Sequence, residues 1–365
     1  MSKTHADTII RDVLNPLTGE RADYTVSREL RADPANAERS AWSREVDGAQ
    51  WWALPAAVDG DAHMPFVPVG LRAYDLFAAL HGGVHHMVVA LPFQLVRDKA
   101  LATVVTEMTS TVLPAITPVL SVSPSADSAG FVEWIKANID TVRALLPSVC
   151  KVYTGDPNFR ANLDAVWESG LTPAVFAFTP DDFDQLMGFA HGPLHIRHIT
   201  SAPMLERVRA VPGATAQTSP HMLLELASDR TDSLTVLPSP PGAAERESLV
   251  EVFADIDVLA SDHVSPPLGA PTGPGLQTQQ HFLPAVLTCV QRYGWDLETV
   301  WSKLTSGPRA VFGLPERNAT TIVDPTVQDL AVLWPRQRDD RAPYAGMELQ
   351  TKVVAVITEH GSVMV

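Results

Sequence analysis

Between about residue 55 and residue 315, short runs rich in β-branched and apolar residues alternate with longer stretches whose apolar positions recur at helical spacing. The strand-like runs are PAAVDGD at 55–61, HHMVVALP at 85–92, AITPVLSVS at 115–123, VCKVYTG at 149–155, TPAVFAF at 172–178, LHIRHIT at 194–200, ATAQTSP at 214–220 and IDVLASD at 256–262. The spacing predicts helices over 70–81, 96–112, 127–146, 160–169, 181–190, 202–210, 243–254 and 280–293. Thr179-Pro180-Asp181-Asp182 supplies an N-cap, a first-position proline and first-turn acids for one of them. Eight such βα units in roughly 260 residues match the size of a (β/α)8 barrel better than an open doubly wound sheet. The predicted class is therefore α/β, with a barrel domain over 55–317. Residues 1–54 and 318–365 read as short strands that cannot bury an apolar face alone, so both termini are expected to pair into one small β-sandwich beside the barrel.

Composition narrows the partners. The 365 residues carry 42 acidic against 27 basic side chains, a formal charge of −15. Such a chain repels phosphate backbones and anionic lipid, so neither nucleic acid nor a membrane surface is expected as a partner. Two cysteines, Cys150 and Cys289, cannot build a disulfide framework and fit a reducing, cytoplasmic setting. The N-terminus MSKTHADTIIRDV has no apolar signal region, and no run of apolar residues is long enough to span a bilayer.

On the barrel scaffold, Asp61 and His63 close strand 1, Lys151 lies inside apolar strand 4, His198 ends strand 6, and Asp262 with His263 ends strand 8. Residues at the C-terminal ends of barrel strands converge on one mouth. Taken singly each has an ordinary reading: a turn-capping acid, a core histidine, a solvated lysine. Together they have the composition of a divalent-metal site, zinc being the ion such donors suit. Lysine in an apolar strand is the most demanding of them, since it must find a partner, lose its charge or be modified. His85 and His86 open strand 2 and are expected at the barrel bottom. The proline- and glycine-rich SPPLGAPTGPG at 265–275 is expected to cover the mouth.

VDGDAHM, CKVYTG, RHITS, TSPHMLLE, SDHVSPP and the closing LTSGPRAVFGL and DLAVLWP, in this order and spacing, resemble the dihydroorotase group of cyclic amidohydrolases over nearly the whole chain. The resemblance implies a metal centre bridged by a carboxylated lysine and the opening or closing of a cyclic amide. Lys151 matches that lysine, His198 the histidine of strand 6, and Asp262 the acid–base aspartate; Asp156 is a rival bridging ligand. The departures are as informative. Asp61 stands where the family has a histidine, and Ala177 stands where strand 5 should supply another. One divalent ion per chain is therefore expected, held by Asp61, His63, Lys151 and Asp262, with His198 left to a weak second position. Pro65, Phe93 and Pro266 stand where the family grips the carboxylate of dihydroorotate, so the expected substrate is a less anionic cyclic amide or imide, anchored by His221, His263 or Arg197. Family barrels often pair, so a homodimer is expected. The alternative is a catalytically inactive relative serving as a structural or regulatory partner of an aspartate carbamoyltransferase-type subunit.

Overall fold

The computed structural model describes residues 7–27, 44–64, 69–110, 113–122, 128, 130–177, 179–226, 234–265, 274–334 and 337–365. The N-terminal strands are β1 (Thr8–Leu14), β2 (Arg21–Val26), β3 (Arg44–Asp47) and β4 (Trp52–Pro55). The barrel strands follow as β5 (Ala57–His63), β6 (Val84–Pro92), β7 (Ala115–Val122), β8 (Val149–Tyr153), β9 (Thr172–Phe176), β10 (His195–Ile196), β11 (Thr215–Thr218), β12 (Val258–Leu259) and β13 (His263–Val264). The C-terminal strands are β14 (Ala319–Leu330), β15 (Glu348–Thr358) and β16 (Gly361–Met364).

Strands β5 to β12 pair in sequence order and in parallel, each followed by helix or loop on the outside, as the alternating pattern predicts. Their residues are buried almost without interruption, as for VHHMVVALP in β6, because both faces of a barrel wall are covered. The eighth strand departs from the expected single run. It is split: β12 pairs with β11, β13 pairs with β5, and the short Ala260–Asp262 link between them closes the ring. Asp262 there has φ +54°, a left-handed conformation that a non-glycine residue adopts only under constraint. Strand 6 is also shorter than the predicted 194–200, because the chain turns at His198, where φ is +58°.

The lower barrel is filled by Val58, Val88, Val119, Val149, Ala174 and Phe312, a dry plug that leaves chemistry to the other end. His85 lies beneath the mouth as expected, donating from Nδ1 to the Ala57 carbonyl at 2.9 Å, and His86 contacts Thr117 Oγ1 at 2.7 Å. The predicted helix 96–112 is two helices, Phe93–Arg97 and Leu101–Met108, separated where Ala100 is extended. Both termini do join, within one continuous seven-stranded sheet ordered β16-β15-β14-β4-β1-β2, with β3 on β1. Its own small core is Ile10, Val13, Val26, Ala53, Ile322, Val354 and Ala355. Among the described residues no helix is long and apolar enough to cross a membrane. The predicted mouth-covering loop falls largely on 266–273, outside the described residues, as do Pro65 and Pro266.

Where helix Val69–His81 ends, Gly82 packs so closely that a Cβ would lie 1.9 Å from the Gln279 carbonyl oxygen. The Gly82 carbonyl also accepts from Leu283 N at 3.1 Å. Gly82→Ala is expected to destabilise the fold by about 1–3 kcal/mol through this backbone clash, read from urea unfolding; an unchanged midpoint would refute the packing argument.

Candidate active site

Asp61 is the centre of the barrel mouth. It is wholly buried, as is Lys151, and Lys151 Nζ donates to its Oδ1 at 2.7 Å. Arg197 Nε donates to Oδ2 at 2.7 Å, and Gln217 Nε2 donates to the same oxygen at 3.0 Å. Gln217 is itself held by His195, whose Nε2 lies 3.1 Å from Oε1 while its Nδ1 faces Thr215 Oγ1 at 2.8 Å. Asp59, two residues earlier on β5, braces the turn: it accepts from Ser261 N at 2.9 Å, Ser261 Oγ at 2.6 Å and Asp61 N at 3.2 Å.

Burial by itself would raise the Asp61 carboxyl, but Arg197 and Lys151, with smaller help from His63 and His198, outweigh it and hold the group well below the usual carboxylate range. Burial likewise works against charge on Arg197, and Asp61 reverses that, so the guanidinium is more basic than usual. His63 sits at the rim with 28% of its side chain exposed. Its Nε2 lies 3.6 Å from Asp61 Oδ1 and accepts from Arg197 Nη2 at 3.3 Å. Desolvation, then the neighbouring Lys151 charge, favours its neutral form.

A second group lies beside this network. Asp262 Oδ2 is 3.7 Å from His198 Nδ1 and 3.6 Å from His221 Nε2, too long for hydrogen bonds. His198 Nδ1, both His221 nitrogens and Arg197 Nη1 are buried and meet no hydrogen-bond partner among the described residues. Buried polar groups are normally satisfied, so this cluster faces a space meant to be filled. Burial, and then the charge of Asp61, push the Asp262 carboxyl well above its usual range, while burial drives His221 down to about 3. His198 is lowered as well, by burial and then by Arg197. A cavity of about 280 Å³ opens onto His198, walled by Ala177, Phe183, Pro203, Met204 and Pro238, with Arg207 among its polar residues.

The structure thus brings together Asp61, His63, Lys151, His198, Asp262 and His221. It assigns two other candidates elsewhere. His263 is not at the open mouth: its Nε2 pairs with Asp75 at 3.2 Å and its Nδ1 accepts from Thr278 N at 3.2 Å, so both nitrogens are committed to holding the split strand. Asp156 caps a turn, accepting from Ser128 Oγ and Asn158 N at 2.8 Å each, and is no rival ligand. Sequence reasoning missed Gln217 and Asp59. The signal was a polar residue inside the strand ATAQTSP and an acid in alternation with Asp61.

The donors set limits on any metal. One oxygen each from Asp61 and Asp262 and one nitrogen of His198 lie within 4.8 Å of one another, a set that could hold one ion. A two-ion centre does not fit: Ala177 offers no donor atom, and Arg197 engages both Asp61 Oδ2 and His63 Nε2. An ion held by this set would share the Asp61 carboxylate with the Arg197 guanidinium. Two carboxylates, Asp61 and Asp262, and two cations, Lys151 and Arg197, already share the buried centre, and an ion would add two more positive charges there.

No protein-family profile matches the chain. An allantoinase of Arabidopsis thaliana is 30% identical over 182 residues, covering 43% of this chain and 34% of the relative. A dihydroorotase of Thermococcus kodakarensis is 24% identical over 243 residues, covering 60% and 56%. Over these parts of its length the chain is similar in sequence to cyclic amidohydrolases. It therefore aligns with about a third to a half of the length of these relatives. In fold the chain matches known proteins more fully. Dihydropyrimidinase of Brevibacillus agri superposes with a TM-score of 0.72 at 15% identity, covering 98% of this chain and 95% of that one. The inactive dihydroorotase-like domain of a Chaetomium thermophilum CAD-like multifunctional protein superposes at 0.60 with 17% identity, covering 84% and 93%.

Proposed function

We propose that this chain hydrolyses a C–N bond of a small cyclic amide or imide, neutral or weakly anionic, at the barrel mouth. The observation that carries the reading is Asp262, with its carboxylate between two unpartnered imidazoles beside an apolar-walled cavity. A water oxygen bonds to the ring carbonyl carbon as its proton passes to the Asp262 carboxylate. The tetrahedral intermediate then expels the ring nitrogen, which takes that proton, and the ring opens as an acid.

The substrate preference follows from a missing polar contact. Phe93, where the dihydroorotase resemblance expects a polar grip, is fully buried against Phe131 and Trp134, each with ring centroids 5.4 Å away. Losing a charge-assisted clamp forfeits about 1.5–3 kcal/mol of binding to a substrate carboxylate. Chromatographic assay of a panel of allantoin, hydantoin and dihydropyrimidine rings against dihydroorotate checks the reading. Turnover of an uncharged ring with the higher kcat/KM is expected; turnover of none, or preference for dihydroorotate, would sink it.

A second reading has its own observation. The Asp61 carboxylate is engaged by Lys151, Arg197 and Gln217 without a ligand, as in a catalytically silent barrel. On that reading the chain would bind a carbamoyltransferase-type subunit in size-exclusion chromatography and turn over nothing.

A further inference from the structure

We infer that Arg197 is the resident cation of this site, a guanidinium standing where a divalent ion would otherwise sit, and that it closes Asp61 and His63 to metal. Three observations support this. The guanidinium engages Asp61 Oδ2, on one of the three residues of the candidate ion set, through Nε at 2.7 Å, and the neighbouring His63 Nε2 through Nη2 at 3.3 Å. It is locked in place: the side chain is 2% exposed, its carbon lies 5.5 Å from the Tyr153 ring centroid and 5.9 Å from that of Phe176, and Gln217 completes the same oxygen. The charges also agree, since Asp61 and Asp262 ionised cancel Lys151 and Arg197, and a divalent ion would leave a buried excess of two.

One donor makes no short hydrogen bond. Nη1 of Arg197 is buried and meets no acceptor at ordinary hydrogen-bond geometry among the described residues, the Tyr153 hydroxyl being a further polar neighbour of the guanidinium. Arginine presents its donors in a rigid fork, so with Nε and Nη2 fixed, Nη1 is fixed as well. A preset donor of this kind polarises a carbonyl oxygen and stabilises the oxyanion that forms when water adds. This catalytic half of the inference rests on the hydrolase reading above; the exclusion of metal does not.

The experiment is elemental analysis of the full chain after incubation with zinc or manganese and bicarbonate, followed by gel filtration, with melting temperature measured with and without chelator. Wild type is expected to hold no stoichiometric ion and to melt at the same temperature in both. Arg197→Gln puts an uncharged amide in place of the guanidinium and frees the carboxylate, and is expected to take up one ion per chain and to melt higher with it. Arg197→Lys keeps the charge and should stay empty. A stoichiometric ion in wild type overturns the inference whatever the variants do, and so does a folded Arg197→Gln that binds none. If metal behaves as expected yet no cyclic amide is turned over, the resident cation stands and the hydrolase reading falls. If turnover is found, metal-free Arg197→Gln should lose kcat by about 10²–10³-fold.

Discussion

Asp61→Asn is expected to cost about 3–5 kcal/mol of folding stability, the penalty of leaving buried cations without their counter-charge. Lys151 is wholly buried and Arg197 nearly so, and Asp61 is the carboxylate that meets both. The asparagine keeps the shape and one acceptor but removes the charge that justifies two buried cations. Replacing all three members by apolar residues, as in Asp61→Leu with Lys151→Met and Arg197→Met, is expected to recover most of the loss. Urea unfolding of the three proteins decides it; Asp61→Asn as stable as wild type would show that the network is not what holds the mouth. The dependence on pH has a definite sign. The Asp61 carboxyl is depressed in the folded state, so its contribution is complete above the ordinary aspartate value of 3.8 and is lost only as pH falls through the depressed one.

Asp262→Asn is expected to lower kcat for cyclic-amide hydrolysis by about 10²–10⁴-fold, the range for removing a general acid–base group, with little change in KM. The carboxylate form is the working base, and burial followed by the charge of Asp61 raises this group well above 3.8. Wild-type kcat should therefore rise with pH through that elevated value. Stability should move the opposite way. A carboxyl whose folded pKa is raised favours the fold while protonated, so its contribution is lost as pH rises from the unfolded value toward the folded one. Asp262→Asn, which never ionises, should be more stable than wild type at neutral pH and less active. A variant that is less stable and equally active would remove Asp262 from the chemistry.

The barrel was legible because its signal is periodic: apolar runs of strand length separated by amphipathic runs of helix length need no tertiary knowledge. The converging residues were legible for the same reason, since Asp61, His63, Lys151, His198 and Asp262 all fall at or near the mouth end of a strand. What the one-dimensional pattern could not carry was direction. Arg197 and His198 are neighbours in RHITS, and nothing in their order says that the arginine turns inward to Asp61. That turn depends on the left-handed backbone at His198 and on the rings of Tyr153 and Phe176, which come from other strands. His263 misled for the converse reason. Its position beside Asp262 suggested a share in the site, but the break in the eighth strand points it to Asp75. Ala177 was read correctly as an absent donor; that its smallness leaves a wall of the cavity beside His198 is visible only in three dimensions.

The terminal sheet sets the order in which the molecule can be finished. Strand β4 pairs with β14, so Pro55 awaits Thr320 and Leu54 awaits Thr321. During synthesis the whole barrel emerges between these partners, and the edge of β4 stays unpaired until the last strands leave the ribosome. Exposed edges of this kind invite association with other chains. Slowing synthesis between β4 and β14 should therefore lower the yield of folded protein more than slowing it before β4.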